Sequence, residues 1–287
     1  MVERPKLSRR PTRQQVYRRR VAALAIVLIV FGGCAWAAYA VVRGHKDSAP
    51  APTTTVAAPK QFRVTFPEGL TMREMAQVAG RRSRLITPTG YLRAASRARL
   101  PAGFGRPPSS EGFLFPDTYF LFETDPDATL VDKQLENFRA KWGQIDMRYA
   151  RSKNLTQYDI LIIASMIEKE VVVPRERRLV AAVIYNRLHE RMPLGSDATL
   201  RYGLGIPPTK AITKRDLASD SPYNTRKLRG LPPTPIANPG LASMQAAAHP
   251  ANVDYLYFVR KPDCRSHFFT ASIDEFLAYT RTGLTNC

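Results

Sequence analysis

Two glutamates at the end of one apolar stretch are the first residues that could do acid–base chemistry. The segment ILIIASMIEKE places Glu168 and Glu170 after an almost unbroken apolar run. On a 3.6-residue period, Ile163, Ile167 and Glu170 share one helix face, whereas Glu168 lies on another. A carboxyl on a buried face loses hydration, which raises its pKa and keeps it protonated near neutral pH. Such a group can act as a general acid, and this favours Glu170.

The EKE sequence is equally typical of a solvated helix end ahead of the turn at Pro174, so spacing alone leaves both interpretations open. The loops that follow combine aromatic, amide and hydroxyl side chains, as carbohydrate sites do, although ordinary turns use the same residue types. Five prolines within residues 221–240 favour a rigid, functional loop. The polar candidates in these segments are Asp197, Thr199, Tyr202, Tyr223, Asn224, Thr225, Asn238 and His267.

Other kinds of site have little support in the sequence. His249 and His267 could serve a serine hydrolase, but the sequence holds no G-x-S-x-G motif, and a helix-end role suits His249 better. A zinc site is disfavoured because there is no CxxC or HExxH motif and there are only four histidines. A phosphate-binding Gly-rich loop is also absent from the sequence. We therefore expect no metal and no cofactor.

The elements that must position these residues follow from periodicity and turn signals. Residues 62–66 alternate like a short strand, and Thr71 with Glu74 forms a capping-box pattern that begins a helix after a Pro-Glu-Gly turn. This opening resembles a LysM-like glycan-binding unit. The whole pattern predicts an α+β fold class, with residues 191–240 mostly in loops. Further predicted elements are helices near 90–98, 127–142, 160–170, 175–190, 241–248 and 272–280, and strands at 255–259 and 267–270.

The basic composition is concentrated at the N-terminus. Lysine and arginine outnumber the acids 43 to 24, which invites a nucleic-acid or anionic-surface partner, but residues 1–20 alone hold eight of these basic residues. They precede 22 uncharged residues, Val21–Val42, long enough to span a bilayer as a helix. The basic flank predicts a cytoplasmic N-terminus and an exported remainder. Cleavage after an A-x-A pattern ending at Ala40, or lipidation of Cys34, are the alternatives.

A Pro/Ala/Thr-rich linker, at residues 48–59, separates this apolar segment from the remainder of the chain. Cys264 and Cys287 both lie in that remainder, where an oxidising compartment would let a disulfide persist. They are candidates for a bridge that would pin the C-terminus, although two cysteines do not by themselves establish a pair.

Several motifs occur in an order that resembles the MltG (YceG-like) family of membrane-anchored endolytic peptidoglycan transglycosylases. The resemblance is strong over residues 111–280, and the family's LysM-like region is abbreviated at 61–110. It implies a mixed α/β lytic transglycosylase catalytic domain at 111–287, after a basic cytoplasmic tail at 1–20, a transmembrane helix at 21–42 and a linker at 43–60. The motifs are EGFLFPDTY, ASMIEKE, YNRL, SDATLRYG, YNT, GLPPTPIANPG, AAHP and YLYFV.

The resemblance assigns roles residue by residue. Glu170, the second glutamate of EKE, matches the family's catalytic acid. Ala198 and Thr234 depart from the family pattern, where proline and glycine respectively are common. The positions that match the family's substrate cleft are Asp197, Thr199, Tyr223, Asn224, Thr225, Asn238 and His267.

The implied activity is non-hydrolytic cleavage between N-acetylmuramic acid and N-acetylglucosamine in nascent peptidoglycan, giving 1,6-anhydro ends and terminating strand elongation. One carboxyl serves as acid and then as base, so a second carboxylate is not required. Partners would be glycan strands, the inner or plasma membrane and peptidoglycan synthases, with no nucleic acid. The alternative is a non-catalytic wall-binding scaffold for synthases, and a nucleic-acid binder would require a cytoplasmic location for residues 61–287.

Overall fold

The computed structural model describes residues 13–44, 59–82 and 85–282. Contacts divide the chain into two units, Met1–Ala58 and Pro59–Cys287. The described part of the first unit is one helix, α1 (Arg13–Gly44), which contains an exposed stretch, Leu24–Arg43, long and apolar enough to cross a membrane. This helix is compatible with the predicted single-pass anchor. Most of the basic tail and of the predicted linker lies outside the described residues.

The second unit begins with a β–α–α–β arrangement. Strand β1 (Gln61–Thr65) pairs antiparallel with β2 (Thr118–Phe122), and two helices, α2 (Met72–Arg82) and α3 (Pro88–Arg97), lie between them in the chain. The predicted capping box at the start of α2 is confirmed, because the Thr71 and Glu74 side chains each accept the other's backbone N–H. The two strands hold the ends of this region together.

The rest of the unit is built around α6 (Gln157–Glu170). A capping box between Thr156 and Asp159 begins this helix, and residues 160–167 are all buried. Because it is apolar on every side, α6 needs packing partners all round, and α7, α8 and α10 supply them. The other elements are α4 (Asp127–Trp142), α5 (Arg148–Ser152), α7 (Arg177–His189), α8 (Asp197–Leu204), α9 (Lys214–Leu217), α10 (Leu241–Ala248), β3 (Tyr257–Arg260), β4 (His267–Thr270) and α11 (Ile273–Arg281).

The expectation of loops through residues 191–240 was wrong for two helices, α8 and α9. The eight residues of α8 are too few to be stable alone, so tertiary contacts must hold them. Thr199 and Leu200 are fully buried, and Gly205 ends the helix in the left-handed conformation. Ser196 occupies the N-cap position without capping, because its hydroxyl is used elsewhere. The predicted helix at 241–248 and the hairpin of β3 with β4 are confirmed.

A buried carboxylate joins the β–α–α–β region to the rest of the second unit. Glu111 is only 2% exposed, and it accepts hydrogen bonds from the Met72 backbone N–H at 2.8 Å, the Asn238 amide at 2.9 Å and the Tyr202 hydroxyl at 3.1 Å. Burial outweighs these donors and raises the pKa of Glu111 from 4.5 to about 7. The contact that Glu111 makes between these two regions therefore depends on pH.

Stability should fall between pH 4.5 and about 7, where Glu111 is ionised in the unfolded chain but still protonated in the folded protein. Its pKa lies above the unfolded value, so its contribution is fully present below pH 4.5 and is lost as pH rises through about 7. The loss is on the order of 3 kcal/mol. Glu111→Gln keeps an acceptor for Met72 and should flatten this dependence, measured as thermal unfolding of the full chain in detergent. Glu136→Gln, on an exposed face of α4, should leave the slope unchanged. If stability depended on pH as steeply in Glu111→Gln as in the unmodified chain, Glu111 would not be the group responsible.

Candidate active site

Glu170 lies at the last position of α6, where its carboxyl meets the loop that precedes α8. The residue is half-buried, and its Oε1 accepts a hydrogen bond from the Ser196 hydroxyl at 2.6 Å. Burial is the main cause that raises its pKa, and the charge of Asp197 raises it further. The Ser196 hydrogen bond and the charges of His267 and Arg260 act in the opposite direction. Burial is the largest of these effects, so the net change is a higher pKa, which is the direction that a general acid requires.

Glu168 has a different environment, as the helix-face argument predicts. Its Oε2 accepts the backbone N–H of Gly240 at 3.0 Å, so it holds the loop ahead of α10. Its charge raises the pKa of the neighbouring Glu68, after the larger effect of burial on that group. Lys169, between the two glutamates, donates to the Gly69 carbonyl at 3.1 Å. The first glutamate of EKE therefore has a structural partner, whereas the second contacts a loop hydroxyl.

A chain of hydroxyl groups fixes the position of Ser196. Thr225 Oγ1 accepts the Ser196 backbone N–H at 3.1 Å and lies 2.8 Å from Thr199 Oγ1. The Thr199 hydroxyl is also 2.8 Å from the Ser196 carbonyl oxygen, to which it donates. Both threonines are buried, at 0% and 2% exposure. These two predicted substrate-binding residues are thus engaged within the protein, and they orient the group that contacts Glu170.

Asp197 is the predicted site residue with the most open carboxyl. Its Oδ1 forms an ion pair with Nε of Arg226 at 2.6 Å, and the two side chains are 49% and 46% exposed. It begins α8, directly after Ser196, and its charge acts on Glu170. An exposed carboxylate and guanidinium beside an acid can both hydrogen-bond sugar hydroxyl or amide groups.

The two predicted asparagines are fully buried, and their side chains hold loops together. Asn224 donates to the carbonyls of Leu217 and Ser219 at 3.0 and 2.8 Å. Asn238 donates to Glu111 and to the Leu70 carbonyl, and its Oδ1 accepts two backbone N–H groups from the EGFL segment. Four hydrogen bonds satisfy every polar position of the Asn238 amide. The structure brings neither side chain into contact with Glu170.

Tyr223 is held by one of the residues that departs from the family pattern. Its hydroxyl lies 2.7 Å from Oγ1 of Thr234, which also donates to the Pro235 carbonyl at 2.9 Å. The Tyr223 ring packs against Tyr202, with ring centroids 5.2 Å apart. A glycine at position 234 could not make this hydrogen bond, so the threonine adds a constraint on the aromatic side chain.

His267 is part of a buried pair that the sequence did not reveal. Glu176 accepts the His267 backbone N–H at 3.1 Å and lies 2.7 Å from ring atom Nδ1. The two side chains are only 3% and 6% exposed. Phe258 packs edge-on against the imidazole, with a centroid distance of 5.3 Å. This contact fixes the ring and leaves Nε2 as its remaining polar atom.

Sequence reasoning missed Ser196 and Glu176 as site residues. Ser196 stands in the SDATLRYG motif, which the sequence placed in a loop, and Glu176 follows Pro174 at the start of a predicted helix, where the structure has a 3₁₀ turn before α7. Their partners lie 26 and 91 residues away along the chain, beyond any local pattern.

The cysteines bear on the predicted disulfide, and the acidic and histidine side chains bear on a metal site. Cys287 lies outside the described residues, so the Cys264–Cys287 bridge stays a prediction. Cys34 is a free, exposed thiol on α1. Within the described ranges, there is no group of three or more His, Cys, Asp or Glu side chains placed to hold a metal ion.

Residues 40–282 match the sequence model of the YceG-like family, which is most of the chain. The chain belongs to the YceG-like family. A solved structure of a putative YceG-like protein from Listeria monocytogenes superposes with a TM-score of 0.66 at 28% identity, covering 76% of this chain and 75% of that one.

Two curated relatives carry the name endolytic murein transglycosylase. The one from Bacillus subtilis strain 168 is 40% identical over 153 residues, which cover 53% of this chain and 42% of the relative. The one from Streptococcus pneumoniae strain R6 is 32% identical over 222 residues, which cover 68% of this chain and 40% of the relative. The matched part of this YceG-like chain thus spans about two fifths of the length of each relative.

Proposed function

We propose that this YceG-like chain is an endolytic murein transglycosylase that cuts nascent peptidoglycan between N-acetylmuramic acid and N-acetylglucosamine. The observation that carries the proposal is the Glu170 carboxyl, desolvated at the end of α6 and held by the Ser196 hydroxyl. Its raised pKa suits an acid that must hold a proton near neutral pH. Relatives named for this activity support the same reaction.

In the proposed reaction, protonated Glu170 donates to the glycosidic oxygen as the bond from that oxygen to muramyl C1 breaks. The oxocarbenium-like centre at C1 is attacked by the C6 oxygen of the same sugar. The Glu170 carboxylate takes the C6 hydroxyl proton, which closes the 1,6-anhydro ring and restores the acid. Water is not consumed, and one carboxyl does both proton transfers. Ser196 keeps the carboxyl oriented through both steps.

The proposed arrangement puts this reaction outside the membrane that α1 would span. A tail at 1–20 would be cytoplasmic, a helix at 21–42 would cross the inner or plasma membrane, and the segment after the 43–60 linker would face the wall. The β–α–α–β order between Gln61 and Phe122 supports a LysM-like glycan-binding region and carries its second strand past the boundary expected at 110. The catalytic domain would then run to 287. Synthases that extend the strands are proposed partners.

Mass spectrometry of glycan strands incubated with the full chain in detergent tests the proposed reaction. We expect fragments ending in 1,6-anhydro-N-acetylmuramic acid, each lighter by one water than the hydrolysis product. Internal cuts in long strands should appear before terminal disaccharides, because the activity is endolytic. Fragments with the mass of hydrolysis products would show a hydrolase, and uncut nascent strands would favour the scaffold alternative.

Ser196→Ala and Asp197→Asn should shift the pH dependence of cutting in opposite directions. The Ser196 hydroxyl lowers the pKa of Glu170, so its loss should move the alkaline fall in rate to higher pH. The Asp197 charge raises that pKa, so its loss should move the same fall to lower pH. Profiles of kcat/KM against pH report these shifts. Shifts of the same sign in both variants would show that Glu170 is not the titrating acid.

A further inference from the structure

One arginine of α7, in the YNRL motif, holds the loop that leads to Ser196. Arg187 is half-buried, and its Nη1 donates to the Leu194 carbonyl at 2.8 Å and to the Pro193 carbonyl at 3.4 Å. The Met192 backbone N–H donates to the Arg187 carbonyl at 2.8 Å. Arg187 therefore contacts three successive residues of this loop, and the last of them lies two positions before Ser196.

The same guanidinium also binds the segment that begins the β3–β4 hairpin. Its Nε donates to the Leu256 carbonyl at 2.6 Å, and its Cζ lies 5.4 Å from the centre of the Tyr257 ring. Among the described residues, the hydrogen-bond acceptors of the Arg187 side chain are backbone carbonyls, not carboxylates. A planar guanidinium holds several acceptors in a fixed geometry, which a lysine ammonium cannot do. Arg187 thus sets where the loop before Ser196 lies relative to the hairpin.

The backbone between this arginine contact and Ser196 is also fixed. Gly195 has a left-handed backbone, with a φ of 67°, and a Cβ at this position would lie 3.1 Å from Nη1 of Arg187. Glycine allows both the conformation and the close approach. The Gly195 N–H donates to the Thr225 carbonyl at 2.9 Å, and the next N–H, that of Ser196, donates to Thr225 Oγ1 at 3.1 Å. The loop therefore has partners at every residue from the arginine contact to Ser196.

We propose that Arg187 is a positioning residue for the acid: through the loop at 193–195, it holds the Ser196 hydroxyl against the Glu170 carboxyl. The Arg187 guanidinium lies 2.8 Å from the Leu194 carbonyl oxygen. Two residues later, Ser196 Oγ lies 2.6 Å from Glu170 Oε1. The inference rests on the proposed function, which makes Glu170 the acid, and in it Arg187 acts through the loop and not as a catalytic residue.

Titration of the Glu170 carboxyl by NMR tests this role in the full chain in detergent, without requiring any cutting. With isotope-labelled glutamate, the Glu170 carboxyl resonance is the one that is absent from Glu170→Gln. Arg187→Lys keeps the charge but not the planar fork, so the Ser196 hydroxyl should lose its place and the pKa of Glu170 should rise, as in Ser196→Ala. In the Ser196→Ala background, Arg187→Lys should give no further rise, because the hydroxyl through which it acts is absent.

The rate of cutting by the same variants is the second readout. Arg187→Lys should lower kcat about tenfold with little change in KM, because the acid is misplaced while the binding of strands is kept. Thermal unfolding reports whether the variant folds, and Arg187→Gln in both backgrounds supplies the same comparison if Arg187→Lys does not. A chain that titrates as expected but cuts no glycan would contradict the proposed function and support the positioning role.

Another arginine of α7 supplies the matched control. Arg178 Nε donates to the His249 carbonyl at 2.8 Å, so Arg178 also binds backbone, but in a different loop. Arg178→Lys should therefore leave the titration of Glu170 unchanged. An equal rise in Arg178→Lys would overturn the inference, because any loosening around α7 would then have the same effect. An unchanged titration in Arg187→Lys would overturn it directly.

Three other charged groups act on the Glu170 carboxyl, namely Asp197 on α8, Arg260 on β3 and His267 on β4. The last two belong to the hairpin, and their charges lower the pKa of Glu170. Because Arg187 also binds the segment that begins the hairpin, Arg187→Lys could instead act by moving these two charges. The rise would then persist in the Ser196→Ala background, and that result would overturn the inference.

Discussion

Replacing Glu170 by glutamine is expected to lower the rate of 1,6-anhydro end formation by about 10³-fold or more, since the amide can neither donate the acid proton nor take one back. The substitution keeps the shape of the side chain, and the Ser196 hydroxyl can still donate to the amide oxygen. Binding of glycan strands should therefore change little. Initial rates from quantified anhydro ends, together with strand affinities measured in the same preparation, separate catalysis from binding.

The neighbouring glutamate supplies a matched control. Glu168 accepts the Gly240 N–H, and a glutamine oxygen can accept the same bond, so Glu168→Gln should retain most of the cutting rate. A rate for Glu170→Gln within tenfold of the unmodified chain would show that another group is the acid. An inactive, folded Glu168→Gln would reverse the assignment within EKE.

Breaking the Glu176–His267 pair should produce the second large effect, on both stability and activity. Glu176→Leu would leave a buried imidazole and its backbone N–H without their acceptor, and His267→Leu would leave a buried carboxylate without its side-chain partner. Each is expected to lower the free energy of unfolding by about 3 kcal/mol or more. Denaturant unfolding of the full chain in detergent measures this loss.

The double variant distinguishes a role of the Glu176–His267 pair in activity from a role in stability alone. Removing both polar groups leaves fewer buried groups unsatisfied, so Glu176→Leu with His267→Leu should cost less than the two single changes added together. Cutting should stay low in the double variant, because the imidazole whose charge acts on the Glu170 carboxyl is gone. Glu176→Gln, which keeps an acceptor for the backbone N–H, should recover part of both properties. Full activity in the double variant would show that the pair serves stability alone.

Features set by local sequence were predictable. The Thr71–Glu74 pattern began a helix where expected, and the strands predicted at 255–259 and 267–270 correspond to the two strands of a hairpin, at 257–260 and 267–270. The helical period also separated Glu168 from Glu170, since side-chain direction on a helix depends on position alone. In these cases the physical cause lies within about four residues of the feature itself.

The α8 helix and the environment of Glu170 depended on the fold. Ser196 lies in a segment predicted as a loop, whereas the structure places it at the start of α8, and packing of α6 against α8 gives its hydroxyl the Glu170 carboxyl as a partner. Asn238 reads as a loop amide that could bind sugar, whereas burial beside Glu111 uses all of its hydrogen-bonding capacity.

The sequence by itself determined the apolar N-terminal helix, most of the other helices and strands, the motifs of the YceG-like family and the different helix faces of Glu168 and Glu170. Only the tertiary structure decided which polar residues support loops, which remain open beside Glu170, and that Glu176 holds His267. The reason is physical: a propensity or a cap acts between near neighbours in the chain. Desolvation, charge and hydrogen-bond satisfaction depend instead on groups that folding brings together from distant positions.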